Sequence, residues 1–197
     1  MSIVINNLYK RYTKRNVLKG LTYTFKDNTH YLIKGENGIG KSTLIKSILN
    51  QIKYEGEIIV DGPISYSPEE AIFPAFMSVY SFLKTFSQMS MNEEIDDELI
   101  KKELDDFNIL DSLDKQLGSL SKGTKMKINI ILSLITPSKI LLMDEPLSGL
   151  DPESKKVLLK KIKEDKRCVI VVSHETNQFK RKDYTILKLN EGLLFEI

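Results

Sequence analysis

The run Gly35-Glu36-Asn37-Gly38-Ile39-Gly40-Lys41-Ser42 constrains the fold more than any other stretch of this 197-residue chain. It satisfies the spacing G-x-x-x-x-G-K-S/T and sits between an apolar run at 30–33 and a segment, 42–50, where Leu44, Ile45, Ile48 and Leu49 recur at helical spacing. A strand that turns through glycines into a helix aims successive backbone N–H groups at one anion. Glycine accepts the turn without side-chain clash, and the helix start adds its positive dipole end. Such a loop cradles a phosphate chain, with Lys41 reaching the β- and γ-phosphates and the Ser42 hydroxyl taking a place on Mg²⁺. The ligand class is thereby a nucleoside triphosphate. The reaction stays open, because kinases, GTPases and ATPases share the loop.

The rest of the pattern alternates strand and helix. Residues 3–5 and 21–25 alternate as short strands, and 54–61 alternates again before the Gly62-Pro63 turn. From 71 to 118 the character becomes helical, and 91–106 carries eight carboxylates against two lysines. That acidic stretch reads as a solvated helix face or as a docking surface for a basic partner. Residues 122–135 predict a buried helix, 140–144 a central strand, 154–163 an amphipathic helix and 168–172 another buried strand. Residues 184–197 predict a hairpin around Asn190-Glu191-Gly192. Parallel strands joined by helices imply an open α/β sheet, with the 71–118 segment as an inserted helical subdomain.

Composition narrows the partners. The formal charge is +2, with 29 Lys and Arg against 27 Asp and Glu, far from the basic excess of a nucleic-acid binder, and none is expected here. The lone Cys168 forms no internal disulfide and suits a reducing cytoplasmic setting. Residues 1–10 lack a signal-peptide layout, and no apolar run approaches the roughly 20 residues needed to cross a bilayer.

The second candidate site is Ile140-Leu141-Leu142-Met143-Asp144-Glu145-Pro146, an apolar strand ending in two carboxylates. Asp144 is placed to hold the Mg²⁺ shell. Glu145, on the other side of an extended chain, is expected to polarise a water as general base.

In order, Gly35 to Thr43, Leu120-Ser121-Lys122-Gly123, Leu141 to Pro146, Ser148-Gly149-Leu150-Asp151 and His174 resemble the diagnostic elements of an ATP-binding-cassette (ABC) ATPase, over nearly the whole chain. The resemblance implies a single nucleotide-binding domain, 1–197, of α/β class: a phosphate-loop NTPase core of RecA-like type with a mostly parallel sheet, an antiparallel β part at the N-terminus and an inserted α-helical subdomain at about 71–136. It implies that Ser121 and Gly123 cap the γ-phosphate of an ATP held by the other subunit of a head-to-tail dimer; Ser121 alone also reads as a plain N-cap. His174 matches the switch histidine that contacts the γ-phosphate, and Asp151 the aspartate at the dimer interface. Tyr12, more than Tyr9, matches the aromatic on which adenine stacks. Glu69 stands where many relatives have Gln, still an oxygen ligand for Mg²⁺ but charged. The implied catalytic set is Glu145, His174 and Lys41.

Ser-Lys-Gly in the signature and Pro68-Glu69 are similar to the ABC-2-type branch that exports drugs, antibiotics and antimicrobial peptides. The expected partners are therefore ATP, a second copy or a paired cassette, and a separate transmembrane permease, which would hold the chain at the cytoplasmic face of the membrane. The permease would dock beside Glu69 and the helical insertion, where Ile72, Phe73, Phe76, Val79, Tyr80, Phe82, Leu83 and Phe86 are too many for one inward stripe and divide between core and dock. The alternatives are a soluble ABC ATPase of translation or DNA repair, an importer ATPase, and an ATP-binding sensor without turnover.

Overall fold

In the computed structural model, residues 1–13, 15–89, 94–174 and 176–197 are described. A six-stranded sheet carries the chain's centre, in the order β5 (Ile64–Ser67), β6 (Ile140–Asp144), β7 (Cys168–Val172), β3 (His30–Lys34), β8 (Thr185–Asn190), β9 (Leu193–Glu196). All neighbours pair in parallel except β8 with β9, the terminal hairpin. Its two-residue turn uses Glu191 at φ 48 and Gly192 at φ 83, the doubly left-handed turn that matches strand twist. A second sheet, β2 (Arg15–Phe25), β1 (Ile3–Tyr12), β4 (Glu55–Val60), is antiparallel.

β6 and β7 are buried at every position, and their alternation feeds two cores. Ile140, Leu142, Ile170 and Val172 face the antiparallel sheet and α1 (Lys41–Ile48). Leu141, Met143, Val169 and Val171 face α4 (Lys122–Ile135) and α5 (Pro152–Glu164), whose Ile128, Ile131, Leu158 and Ile162 are fully buried. α2 (Val79–Gln88) and α3 (Asp97–Asp106) pack on α4 at the same side.

The structure corrects several expectations. β1 and β2 run far beyond 3–5 and 21–25, because register shifts at Ile5/Leu8, Leu8/Tyr9 and Lys10/Arg11 break the alternation that marks a strand. β5 escaped periodicity altogether, being four residues long with serines as its buried face. Among the described residues of the 71–118 segment, only α2 and α3 are α-helical; 71–78 is irregular. Within the acidic stretch, 91–93 lie outside the described residues. Asp97 pairs with Lys84, Glu98 with Lys101, and Glu103 and Asp106 with Lys161, so much of its charge is answered within the chain.

The apolar excess divides cleanly. Val79, Phe82 and Leu83 are core, Phe73 and Tyr80 lean on it, Ile72 and Phe76 stand in solvent, and Phe86 is half-exposed with its ring centroid 4.8 Å from that of Phe82.

Candidate active site

Because the central strands are parallel, β3, β5, β6 and β7 end at one edge, the place where open α/β sheets bind ligands. β3 feeds the glycine loop, β6 ends at Asp144, β7 leads to Ser173 and His174, and β5 leads to Pro68 and Glu69. These ends share one cleft of about 590 Å³. Its floor is Asn37, Gly38, Gly40, Lys41, Ser42 and Thr43; its far wall is Glu69, Asp144, Glu145 and His174.

Local chemistry fixes the loop. Gly40 caps α1 at φ 119, and a Cβ there would sit 2.6 Å from Val17 Cγ1, so only glycine fits both the turn and the neighbour. The Lys41 ammonium donates to the carbonyls of Gly35 at 2.7 Å and Glu36 at 3.1 Å, folding the side chain back across the loop. Gly35, Glu36 and Ile39 brace the loop without lining the cleft: Ile39 N–H donates to Glu36 O and its side chain leans on the core.

Asp144 is 6 % exposed, and its carboxyl is pushed up to about 6, by burial first and then by the charges of Glu69 and Glu145. Glu145 does not continue the extended chain. It is left-handed at φ 48, and its N–H donates to Val172 O, so its direction comes from a turn after β6 and not from strand alternation. Its carboxylate accepts from Ser173 Oγ at 3.0 Å and His174 N–H at 3.1 Å, and lies 2.9 Å from His174 Nδ1.

The opposite wall is Tyr12, Arg15 and Val17. Tyr12 is half-exposed with Lys10 Nζ 4.9 Å from its ring centroid. Tyr9 lies elsewhere, its ring over Gly20, where an added Cβ would meet it at 2.6 Å. Sequence reading missed three residues. Ser173 is fully buried, and its only signal is a polar residue directly after an apolar strand. Arg15, which donates to Gly38 O at 3.2 Å, and Val17 reach the cleft through the hairpin of the antiparallel sheet, which no local pattern announces.

Ser121, Gly123 and Asp151 are not in this cleft. Ser121 caps α4, its Oγ accepting from Thr124 N–H at 3.2 Å. Gly123 lines a neighbouring hollow of about 500 Å³ with Lys122, Ser148 and Gly149. Asp151 caps α5 and pairs with Lys127 at 2.9 Å. The Ser154 N–H, then the Lys127 ammonium and the Ser154 hydroxyl, hold its carboxyl far below the usual carboxylate range.

The donor set suits Mg²⁺. Among the described residues no three His, Cys, Asp or Glu side chains converge as a metal cage. Mg²⁺ is instead commonly held by one or two carboxylates plus phosphates and water, and the cleft offers the exposed Ser42 and Glu69 beside the buried carboxyls of Asp144 and Glu145.

The family described as "ABC transporter" matches residues 18–148. A protein of Thermotoga maritima named "probable metal transport system ATP-binding protein" is 30% identical over 98% of this chain and 83% of its own length. The energy-coupling factor transporter ATP-binding protein EcfA1 of the same organism is 29% identical over 98% and 80%. Among solved structures, an ABC transporter ATP-binding protein from Pyrococcus furiosus is 32% identical, with a TM-score of 0.81 over 96% of this chain and 98% of that one. The ATP-binding subunit of another ABC transporter, 22% identical, superposes with a TM-score of 0.88 over 100% and 90%, a likeness of fold. The chain belongs to the ABC transporter family, as one of its ATP-binding, ATP-hydrolysing subunits.

Proposed function

We propose that this chain binds ATP in the cleft at the strand ends, completes its site with a second copy or a paired cassette, and powers a separate transmembrane permease. The observation that carries this reading is the meeting of Lys41, Ser42, Asp144, Glu145 and His174 around one cleft, while Ser121 and Gly123 sit outside it. A signature serine at a helix start, with free N–H groups and the dipole, suits a phosphate that arrives on another subunit.

In this mechanism adenine stacks on Tyr12, and the backbone of 35–40 with Lys41, Ser42 and Thr43 takes the phosphates. Ser42, Asp144 and Glu69 would hold Mg²⁺, which when bound would neutralise charge on the phosphate oxygens. Glu145 accepts a proton from the attacking water, and His174 orients that carboxylate and contacts the γ-phosphate. Asp151 meets the partner at the dimer interface. Lys41 stabilises charge building on the transferred group, and phosphate release reopens the pair.

The exposed Ile72 and Phe86 line a groove of about 810 Å³ with Phe73 and Phe82, an aromatic patch bordered by the charged Lys46, Glu69 and Glu70, and this mixed surface supports a permease dock at the cytoplasmic face. Among the described residues no helix is long and apolar enough to cross a membrane. The Ser-Lys-Gly signature and Pro68-Glu69 favour export of a drug, antibiotic or peptide. Uptake is the second reading, favoured by relatives of Mycoplasma mycoides and Bacillus licheniformis that are named for spermidine/putrescine import and for ribose import.

The test is ATP consumption by the purified chain reconstituted with its cognate permease and magnesium, with cargo followed in sealed vesicles. Magnesium-dependent hydrolysis stimulated by the permease is expected. No hydrolysis in any combination refutes the reading, and the side on which cargo accumulates decides between export and uptake.

A further inference from the structure

Asn129 breaks the pattern of its helix. It lies on α4 beside Ile128, Ile130 and Ile131, is 4 % exposed, and occupies a position where an apolar side chain would pack without desolvation cost. Its Nδ2 uses both protons, donating to Ser67 Oγ at 3.0 Å and to Pro68 O at 2.9 Å. The Pro68 carbonyl only accepts, so this orientation of the amide is the one that pairs.

One turn further, Ser65 Oγ donates to Ser133 O at 2.8 Å. Ser65 and Ser67 are two apart on β5, about 6.6 Å, and Asn129 and Ser133 are four apart on α4, about 6 Å, so strand and helix mate in a single register. A polar seam is thus buried within an otherwise apolar interface. Apolar contacts tolerate sliding, whereas these donors and acceptors lose their partners when either element moves.

The seam ends at the Pro68–Glu69 peptide. Pro68 has a fixed φ, and Asn129 holds its carbonyl, so the plane that launches Glu69 is set by α4, the helix that Ser121 opens. We propose that Asn129 is a positioning residue for Glu69, coupling the signature helix to the magnesium side of the nucleotide cleft. This rests on the reading of Glu69 as a ligand toward Mg²⁺.

The experiment measures ATP affinity by displacement of a fluorescent ATP analogue, with magnesium and with EDTA, in the wild-type chain, Asn129→Leu and Ser65→Ala. Asn129→Leu is expected to cut the magnesium-dependent gain in affinity about tenfold, the scale of one or two buried polar groups losing their partner. Affinity in EDTA should hold. Ser65→Ala, which breaks the far end of the seam, should cost comparable thermal stability and keep the full magnesium gain. An undiminished gain in Asn129→Leu, or an equal loss in Ser65→Ala, overturns the coupling and leaves the ATPase reading intact. Should Asn129→Leu not fold, Asn129→Ser is read by the same criterion. A wild-type chain whose ATP affinity ignores magnesium overturns the Glu69 reading and this inference with it.

Discussion

Glu145 Oε2 stands 2.9 Å from His174 Nδ1, although the two residues follow different strands, β6 and β7. The same carboxylate takes the His174 backbone N–H and the buried Ser173 hydroxyl, so three donor groups from one short segment orient it. Each carboxylate oxygen offers two lone pairs, which leaves acceptor capacity facing the cleft for a water. The left-handed turn at Glu145 makes this grip possible, because it swings the side chain off the strand axis toward the end of β7.

Glu145→Gln tests that arrangement. The amide keeps the shape but loses one acceptor and cannot take a proton. Steady-state hydrolysis should fall by about 10²- to 10⁴-fold, the range of general-base contributions. ATP binding should persist, and size-exclusion chromatography with Mg-ATP should show an accumulated dimer. Turnover at the wild-type rate removes Glu145 from the general-base role.

The glycine loop, the apolar strand ending at Asp144 and the two-residue hairpin turn were legible in the sequence because each is a local pattern with a local cause. The bulged strands β1 and β2 were only half legible, since each register shift reverses which residues face inward. β5 was hidden because its buried face is Ser65 and Ser67, whose partners lie more than sixty residues away on α4. Arg15 and Val17, which line the cleft, and the buried Ser173, which donates to Glu145, were missed for the same reason: each is placed by tertiary pairing. The roles proposed for Ser121 and Asp151 beyond helix capping need a second chain, which no single-chain geometry supplies.

Lys41→Ala should weaken nucleotide binding itself. Lys41 is almost fully buried and bridges two loop carbonyls, so its loss removes both the phosphate partner and a brace of the loop. Isothermal titration with ATP should show affinity reduced at least tenfold, about 1.4 kcal/mol, in line with a lost charge-assisted hydrogen bond. Wild-type affinity in this variant contradicts the cradle.

Asp144→Asn should stabilise the nucleotide-free chain at neutral pH while abolishing hydrolysis. The folded carboxyl titrates near 6 against an ordinary 3.8, so between these values the unfolded chain has released a proton that the folded chain retains. Stability is therefore lost as pH rises from about 4 through about 6, and the deficit is complete above it. In EDTA, the variant's melting temperature should exceed the wild type's at pH 7.5, and the two should converge toward pH 4. Mg-ATP should raise the wild-type melting temperature more than the variant's. A gap that persists at low pH shows that charge at Asp144 is not its origin.

Lys161→Met probes the joint between the helical insertion and the catalytic core. Lys161 on α5 donates to Glu103 at 2.8 Å and to Asp106 at 2.6 Å, both on α3, and is only 15% exposed at its side chain. Burial alone would lower its pKa, and the hydrogen bonds to Asp106 and Glu103 outweigh that and leave it raised. Glu103 is the more vulnerable partner, with 7 % exposure and an Oε2 that already lacks a hydrogen bond. Removing the ammonium strands that carboxylate, at a cost of about 3–5 kcal/mol by the behaviour of half-deleted buried pairs. Adding Glu103→Leu to Lys161→Met removes the stranded charge and should restore much of the loss. Urea denaturation of the single and double variants measures both effects, and a double variant no more stable than Lys161→Met would show that packing, not the uncompensated charge, sets the cost.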